Sequence, residues 1–185
     1  MRITGGELGG QRIKVPGGTI RPAMDKMRES IFMILGDLSG TSFLDLFSGS
    51  GIIALEAASR GASYIEAVEG DPLKRKTLLE NALLSPVRIH CRFMKVELYI
   101  KRGKRPFDHI FCDPPFPYNY KWELIAQIAE SKLVQRGTRI LIHRPREDPP
   151  SNLMDGLILE ETREYGRSKV DLLKVDLLEK MEINA

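Results

Sequence analysis

From residue 42 onward, short apolar runs alternate with amphipathic stretches in a steady rhythm. Phe43–Phe47 predicts a first strand, and Ile52–Arg60 a helix stopped by Gly61. Ser63–Val68 predicts a second strand ending at Glu69. Asp71 and Pro72 then open a helix that runs to about Leu84, with Asp71 as cap and proline at the first helical position. Val87–Cys91 reads as a third strand and Glu97–Lys101 as part of a short helix. Phe107–Cys112 is a fourth strand, Tyr120–Lys132 a helix and Thr138–His143 a fifth strand. Strands that alternate with helices in this way predict a parallel sheet covered on both faces.

Both ends break the rhythm. After a proline-rich loop, Leu157–Tyr165 and Lys169–Leu178 are two β-like runs joined only by Gly166-Arg167. So short a connection requires an antiparallel pair, because parallel strands need a long crossover. At the other end, Met1–Thr4 and Gln11–Val15 flank a Gly9-Gly10 turn and predict a small β appendage over residues 1–20. A helix over Asp25–Asp37 follows, with Met27, Ile31, Ile34, Leu35 and Leu38 on one face. The expected architecture is α/β: a mostly parallel sheet with an antiparallel C-terminal hairpin in a single domain over residues 21–185, preceded by the appendage.

A chain of 185 residues, 42% apolar and 29% charged, is long enough to bury a core without staples. Runs such as Ile31–Leu35 are too short to span a bilayer, and Met1–Gly6 lacks the apolar stretch of a secretory leader. Cys91 and Cys112 show no metal or redox spacing, and His90, His109 and His143 none that suits a metal. These features predict a cytoplasmic, metal-free protein with reduced thiols. Net charge is only +3, yet the basic residues cluster. Arg2, Arg12, Lys14, Arg21, Lys26 and Arg28 crowd the start, Lys74-Arg75-Lys76 forms a run, and Lys101, Arg102, Lys104 and Arg105 form another. Such clusters suit either phosphate contacts or a solvated face.

Two motifs carry chemistry. The fourth strand runs into Asp113-Pro114-Pro115-Phe116. Ligands of open α/β sheets bind at the carboxyl ends of strands. There an acid accepts from an exocyclic amine, prolines leave carbonyls as acceptors, and an aromatic ring stacks a heterocycle. The second motif, Asp45-Leu46-Phe47-Ser48-Gly49-Ser50-Gly51, joins the first strand to its helix, with Glu69 in register to hold ribose hydroxyls. Gly49 to Ala54 also fits the dinucleotide fingerprint G-x-G-x-x-A. The terminal hairpin and the Asp-Pro-Pro-Phe loop argue against NAD.

Taken together, L-D-L-F-S-G-S-G, V-E-G-D and F-C-D-P-P-F resemble the S-adenosylmethionine-dependent methyltransferases of the Rossmann-like class. Met1–Gly6, Arg12–Pro16, Arg21–Phe32, Ala58–Ala62 and Tyr165-Gly166 narrow the resemblance to the RsmD family, which methylates the N2 amine of a guanine in bacterial 16S ribosomal RNA. The resemblance implies S-adenosylmethionine as cofactor, with Asp45, Phe47, Ser48, Gly49, Ser50 and Gly51 facing its methionine part. Glu69 would then bind the ribose, Gly70 and Asp71 lie beside the adenosine, and Arg21 close over the site. It assigns the target base to Asp113, Pro114, Pro115 and Phe116. Arg2, Arg12, Lys14, Arg28, Arg102, Lys104 and Arg105 are the candidate RNA contacts, and the implied partner is 16S rRNA in the small ribosomal subunit or its assembly intermediate, met by a monomer.

Two positions depart from the family pattern. Ala23 stands where a threonine is usual, and Met94-Lys95-Val96-Glu97 stands where an acid usually recognises adenine. A lysine cannot accept a hydrogen bond, so adenine recognition falls to backbone groups or to Glu97. Trp122, Tyr118 and Asn119 follow the Asp-Pro-Pro-Phe loop; the tryptophan reads as core or base platform, the other two as pocket lining. The rival functions are an amino-methyltransferase acting on adenine or cytosine of nucleic acid, and a non-catalytic RNA-binding or ribosome-assembly module.

Overall fold

The computed structural model describes residues 1–15, 22–115, 118–150 and 153–176. Their chain forms two compact units, Met1–Val96 and Glu97–Ala185.

The first unit holds α1 (Pro22–Leu35), β1 (Ser42–Leu46), α2 (Ile52–Ser59), β2 (Tyr64–Glu69), α3 (Arg75–Ala82) and β3 (Ile89–Phe93). β2 pairs in parallel with both β1 and β3, with Leu46 opposite Val68 and Glu69 opposite Phe93. Phe43, Leu44, Leu46, Ile65, Ala67 and Val68 are fully buried, as expected of strands packed on both faces. α2 is buried along its whole length, so it shows no polar face in the sequence. α1 turns Met27, Arg28, Ile31, Phe32 and Leu35 inward, and Phe32 stacks on Phe43 with ring centroids 6.0 Å apart. The helix expected to open at Asp71 begins instead with one 3-10 turn, Pro72–Lys74. The Asp71 side chain accepts from Leu73 N–H at 2.9 Å, the expected cap. β3 lies two residues later than its apolar run suggests, because pairing with β2 carries it to Phe93.

At the N-terminus the expected hairpin reduces to one antiparallel bridge, Arg2 to Arg12. Around it Ile3 N–H donates to Gln11 O at 2.9 Å and Ile13 N–H to Met1 O at 3.0 Å, while other N–H groups of the segment bond α2. Thr4 N–H donates to Glu56 Oε1 at 2.8 Å, and Leu8 N–H to Ser59 Oγ at 2.8 Å.

The second unit holds α4 (Val96–Arg102, whose first residue belongs to the other unit), β4 (His109–Cys112), α5 (Lys121–Glu130), β5 (Arg139–Pro145), β6 (Leu157–Tyr165) and β7 (Ser168–Val175). β4 and β5 are parallel, and β7 lies antiparallel between β5 and β6. The terminal hairpin is therefore as the sequence predicts, folded around Gly166 at φ 64. β4 is two residues shorter than its apolar run. Phe107 N–H donates to Leu133 O, and the Phe107 carbonyl accepts from the Thr138 hydroxyl, so that residue is spent on the loop. Parallel strands in both units and an antiparallel C-terminal hairpin are the α/β architecture that the sequence predicts. Among the described residues no helix is long and apolar enough to cross a membrane.

Candidate active site

In the first unit the glycine loop leaves the carboxyl end of β1. Asp45, 1% exposed, shapes it from inside: its Oδ2 accepts from Ser48 Oγ at 2.5 Å and from Ala54 N–H at 3.2 Å. Phe47, Gly49 and Gly51 all take positive φ (61, 58 and 81), so the chain coils tightly before α2, with Gly51 as its cap. Among the described residues a side chain at Gly49 would meet only the Phe47 carbonyl, at 4.0 Å, so this face of the loop is open to a ligand. Gly51 faces the protein, where a Cβ would stand 2.6 Å from Leu78 Cδ1. Ser48 and Ser50 are buried within the loop.

Glu69 closes the loop from the end of β2. One carboxylate oxygen accepts from Gly49 N–H and the other from Asp71 N–H, both at 2.7 Å. Lys74 Nζ lies 3.9 Å from both the Glu69 and Asp71 carboxylates. Gly70 is exposed, and the position of a Cβ there lies 3.5 Å from Met94 O and 3.6 Å from Lys95 Cα. The expected adenosine rim is thus built of backbone, with the Lys95 side chain turned out to solvent. The open Gly49 face and a carboxylate suited to a vicinal diol together fit an adenosyl ligand.

Asn81 is a residue that sequence reasoning missed. It is 1% exposed and donates to Ser50 O at 2.8 Å, while exchanging two bonds with the backbone of Lys14, at 2.9 and 2.8 Å. One amide thereby ties the N-terminal segment to the glycine loop.

In the second unit Asp113 directly follows β4. Its Oδ1 lies 2.8 Å from His143 Nδ1 on β5, while Oδ2 takes no hydrogen bond among the described residues. Pro114 is buried and Pro115 exposed. Phe116, like Arg21, lies outside the described residues. Tyr118 has an N–H that donates to Pro115 O at 2.8 Å and a hydroxyl that donates to Glu97 Oε1 at 2.7 Å. Burial, then the hydrogen bond to Glu97, hold the Tyr118 phenol well above its usual pKa, so it remains a donor. Glu97, one of the two options for adenine, is occupied by this phenol. Asn119 is exposed. Trp122 is half-buried and donates to Asp148 Oδ1 at 3.3 Å; the buried Lys121 ammonium reaches the same carboxylate at 3.1 Å and also the Tyr118 carbonyl. The proline-rich loop is pinned to α5 through Asp148.

Among the candidate RNA contacts, Arg2, Arg12, Lys14, Arg102, Lys104 and Arg105 are exposed. Lys14 also pairs with Glu80 at 2.9 Å. Arg28 is a correction. It is 0% exposed, and its guanidinium is held by Glu56 at 3.1 Å, Asp25 at 2.7 Å and the Arg2 carbonyl at 2.8 Å. A buried arginine with these partners joins α1 to α2 and does not reach RNA. His90 stacks on Tyr64, and His109 is buried. Among the described residues no cluster suits a metal ion.

A family model described as conserved hypothetical protein 95 matches residues 1–174. "Putative rRNA methyltransferase YlbH" of Bacillus subtilis (strain 168) is 29% identical over 181 residues, covering 94% of this chain and 98% of that protein. Ribosomal RNA small subunit methyltransferase D of Escherichia coli (strain K12) is 32% identical over 119 residues, covering 63% of this chain and 60% of that one. A solved structure described as "Putative methyltransferase yhhF from Escherichia coli" shares the fold at a TM-score of 0.87 and 24% identity, covering 95% of this chain and 98% of that one.

Proposed function

Because the chain belongs to the conserved hypothetical protein 95 family, the RsmD family of rRNA methyltransferases, we propose that it methylates the N2 amine of a guanine in small-subunit (16S) rRNA. The protein is an S-adenosylmethionine-dependent rRNA methyltransferase. The observation that carries the finer reading is the asymmetric Asp113 carboxylate: one oxygen is held by His143, and the other has no protein partner among the described residues. An acceptor left open beside two prolines suits a planar exocyclic amine.

The cofactor supplies an electrophilic methyl group on a sulfonium. Gly49 and its neighbours offer the close approach it needs, Glu69 holds the ribose hydroxyls, and the backbone around Gly70 and Lys95 meets the adenine. A guanine amine is a poor nucleophile, because its lone pair is delocalised into the ring. The Asp113 carboxylate and the Pro114 carbonyl accept its two N–H bonds and localise that lone pair. Phe116 stacks the base; base–aromatic stacking is worth about 1–3 kcal/mol. With the cofactor bound, its methyl would pass from sulfur to the amine nitrogen held by Asp113 and Pro114, and the cationic amine would then give its extra proton to solvent. Positioning does most of the work, since good orientation supplies about 7–11 kcal/mol of barrier reduction.

A guanine reaches such a slot only when unpaired or flipped from its stack, as in an RNA loop. Arg2, Arg12 and Lys14 on the N-terminal segment, with Arg102, Lys104 and Arg105 at and after the end of α4, are the proposed phosphate contacts. The partner is the small subunit or its assembly intermediate, met by one copy of the chain in the cytoplasm.

The test is methyl transfer from labelled S-adenosylmethionine to small subunits from a strain lacking this protein, with deproteinised RNA in parallel. Mass spectrometry of the nucleosides then decides. N2-methylguanosine at one site supports the proposal; methyladenosine or methylcytidine moves the substrate to the rival amino-methyltransferase. Cofactor binding without transfer to either RNA sinks the rRNA reading.

A further inference from the structure

We infer that His143 is a positioning residue for methyl transfer: its ring fixes the Asp113 carboxylate so that one oxygen belongs to the protein and the other to the target amine. The inference rests on the amine-methylation reading and adds to it a residue that the motif does not contain.

The placement follows from strand register. Cys112 on β4 pairs with Ile142 on β5, so Asp113 and His143 are the next residue on each of two parallel neighbours. His143 ends an otherwise apolar run, Ile140, Leu141 and Ile142, and its side chain is 5% exposed against 31% for Asp113. The buried partner is therefore the ring, and the accessible one the carboxylate. A carboxylate only accepts, so the ring proton sits on Nδ1 and donates across the 2.8 Å contact. Without that donor the carboxyl group has two broad, near-equivalent orientations about its last torsion.

Two fully buried acids, Glu56 and Asp171, make a contrast. Glu56 uses both oxygens, on Thr4, Arg28 and Arg60. Asp171 uses both, on Arg144 and Thr162. Asp113 has one oxygen anchored and one presented. Among the described residues this pair is left half open, at the end of the strand where the base is expected.

The experiment compares His143→Ala, His143→Asn and His143→Gln in the full chain, alone and with Asp113→Ala. An asparagine amide can place an N–H where Nδ1 carries its own; the longer glutamine amide does not. We expect His143→Ala to lower kcat about 10- to 100-fold, the size of losing one charge-assisted hydrogen bond, with KM for small subunits and cofactor affinity little changed. His143→Asn restores most of that loss, His143→Gln does not, and His143→Ala adds nothing in the Asp113→Ala background. Nitrogen NMR of the ring gives a readout apart from activity: a proton on Nδ1, with a resonance that moves on Asp113→Ala. A ring protonated only on Nε2 overturns the inference, as does full kcat in His143→Ala or equal loss in Ala and Asn variants of native stability. A wild-type chain that methylates no rRNA sinks the proposed function instead, and the ring spectrum still judges the pairing.

Discussion

Gly49 N–H donates to Glu69 Oε2 at 2.7 Å across twenty residues of sequence, joining the loop after β1 to the last residue of β2. The other oxygen holds Asp71 N–H at the same distance. Glu69 thus sets the loop before any ligand arrives. Glu69→Gln replaces one acceptor by an NH2 that faces a backbone N–H, and removes the charge that prefers a vicinal diol. The expected outcome is at least a tenfold weaker affinity for S-adenosylmethionine, from one charge-assisted bond worth about 1.5–3 kcal/mol. Calorimetric titration checks it; unchanged affinity would take the ribose away from Glu69.

The two glycines of the loop are expected to fail differently when given a methyl group. Gly51→Ala meets both the positive φ of 81 and the Leu78 methyl at 2.6 Å, so the loss is of stability. Strain of about 1–2 kcal/mol for the left-handed backbone adds to the cost of overpacking, about 1–3 kcal/mol. Gly49→Ala carries the strain alone, because among the described residues its open side touches nothing nearer than 4.0 Å. There the methyl occupies the ligand's approach, so cofactor affinity falls more than stability. Paired urea melts and cofactor titrations separate the two, and equal effects would mean that Gly49 is not at the ligand face.

The glycine loop, Glu69 and Asp113 could be read from the chain because each sits where a local apolar run ends. β6 keeps the bounds its own pattern predicts, and the turn at Gly166 forces the antiparallel pair. Where the chain's choice is decided by distant partners, local pattern fails. The N-terminal hairpin stays short because Glu56 and Ser59, more than fifty positions away, take the N–H groups of Thr4 and Leu8. Arg28 looks like one more surface cation until α1 lies against Glu56. His143 and Asn81 have partners thirty or more residues off, and nothing beside them in sequence marks their roles.

Arg28 and Glu56 both have fully buried side chains at 3.1 Å, with Arg60 and Thr4 completing the set around the glutamate. Removing one partner of a buried ion pair costs about 3–5 kcal/mol, because the other charge stays buried. Arg28→Met should fall at the low end, about 3 kcal/mol, since Arg60 still neutralises Glu56. Urea unfolding measures it; a loss below about 1 kcal/mol, the worth of a surface pair, would mean the network is solvated in solution.

Burial of His109 holds its imidazole below the ordinary pKa. The unfolded chain then takes up a proton near pH 6.5 that the folded chain refuses. Between the lowered folded value and 6.5 the unfolded state binds more protons, so stability is present above that window and is lost as pH falls through it. From pH 7.5 to 5.5 the wild-type chain should lose at most about 1.4 kcal/mol through this one group. His109→Asn, which cannot titrate, should show a correspondingly smaller drop in urea midpoint. An identical drop in both proteins would place the acid sensitivity elsewhere.

Salt dependence distinguishes a cation that meets RNA from one that only looks available in the sequence. Arg102, at the end of α4, and Lys104 and Arg105 just beyond it are exposed, so their joint replacement by alanine should weaken RNA binding in proportion to the phosphates released. For single-stranded RNA each lost contact makes the slope of log affinity against log salt shallower by about 0.7, or about 2 for all three. Arg28→Met removes a charge as well, but a buried one already committed to Glu56 and Asp25. Its slope should match wild type at temperatures where it remains folded. Filter binding across a salt series measures both. A triple variant with the wild-type slope would remove this cluster from the interface and leave the N-terminal cations as the proposed phosphate contacts.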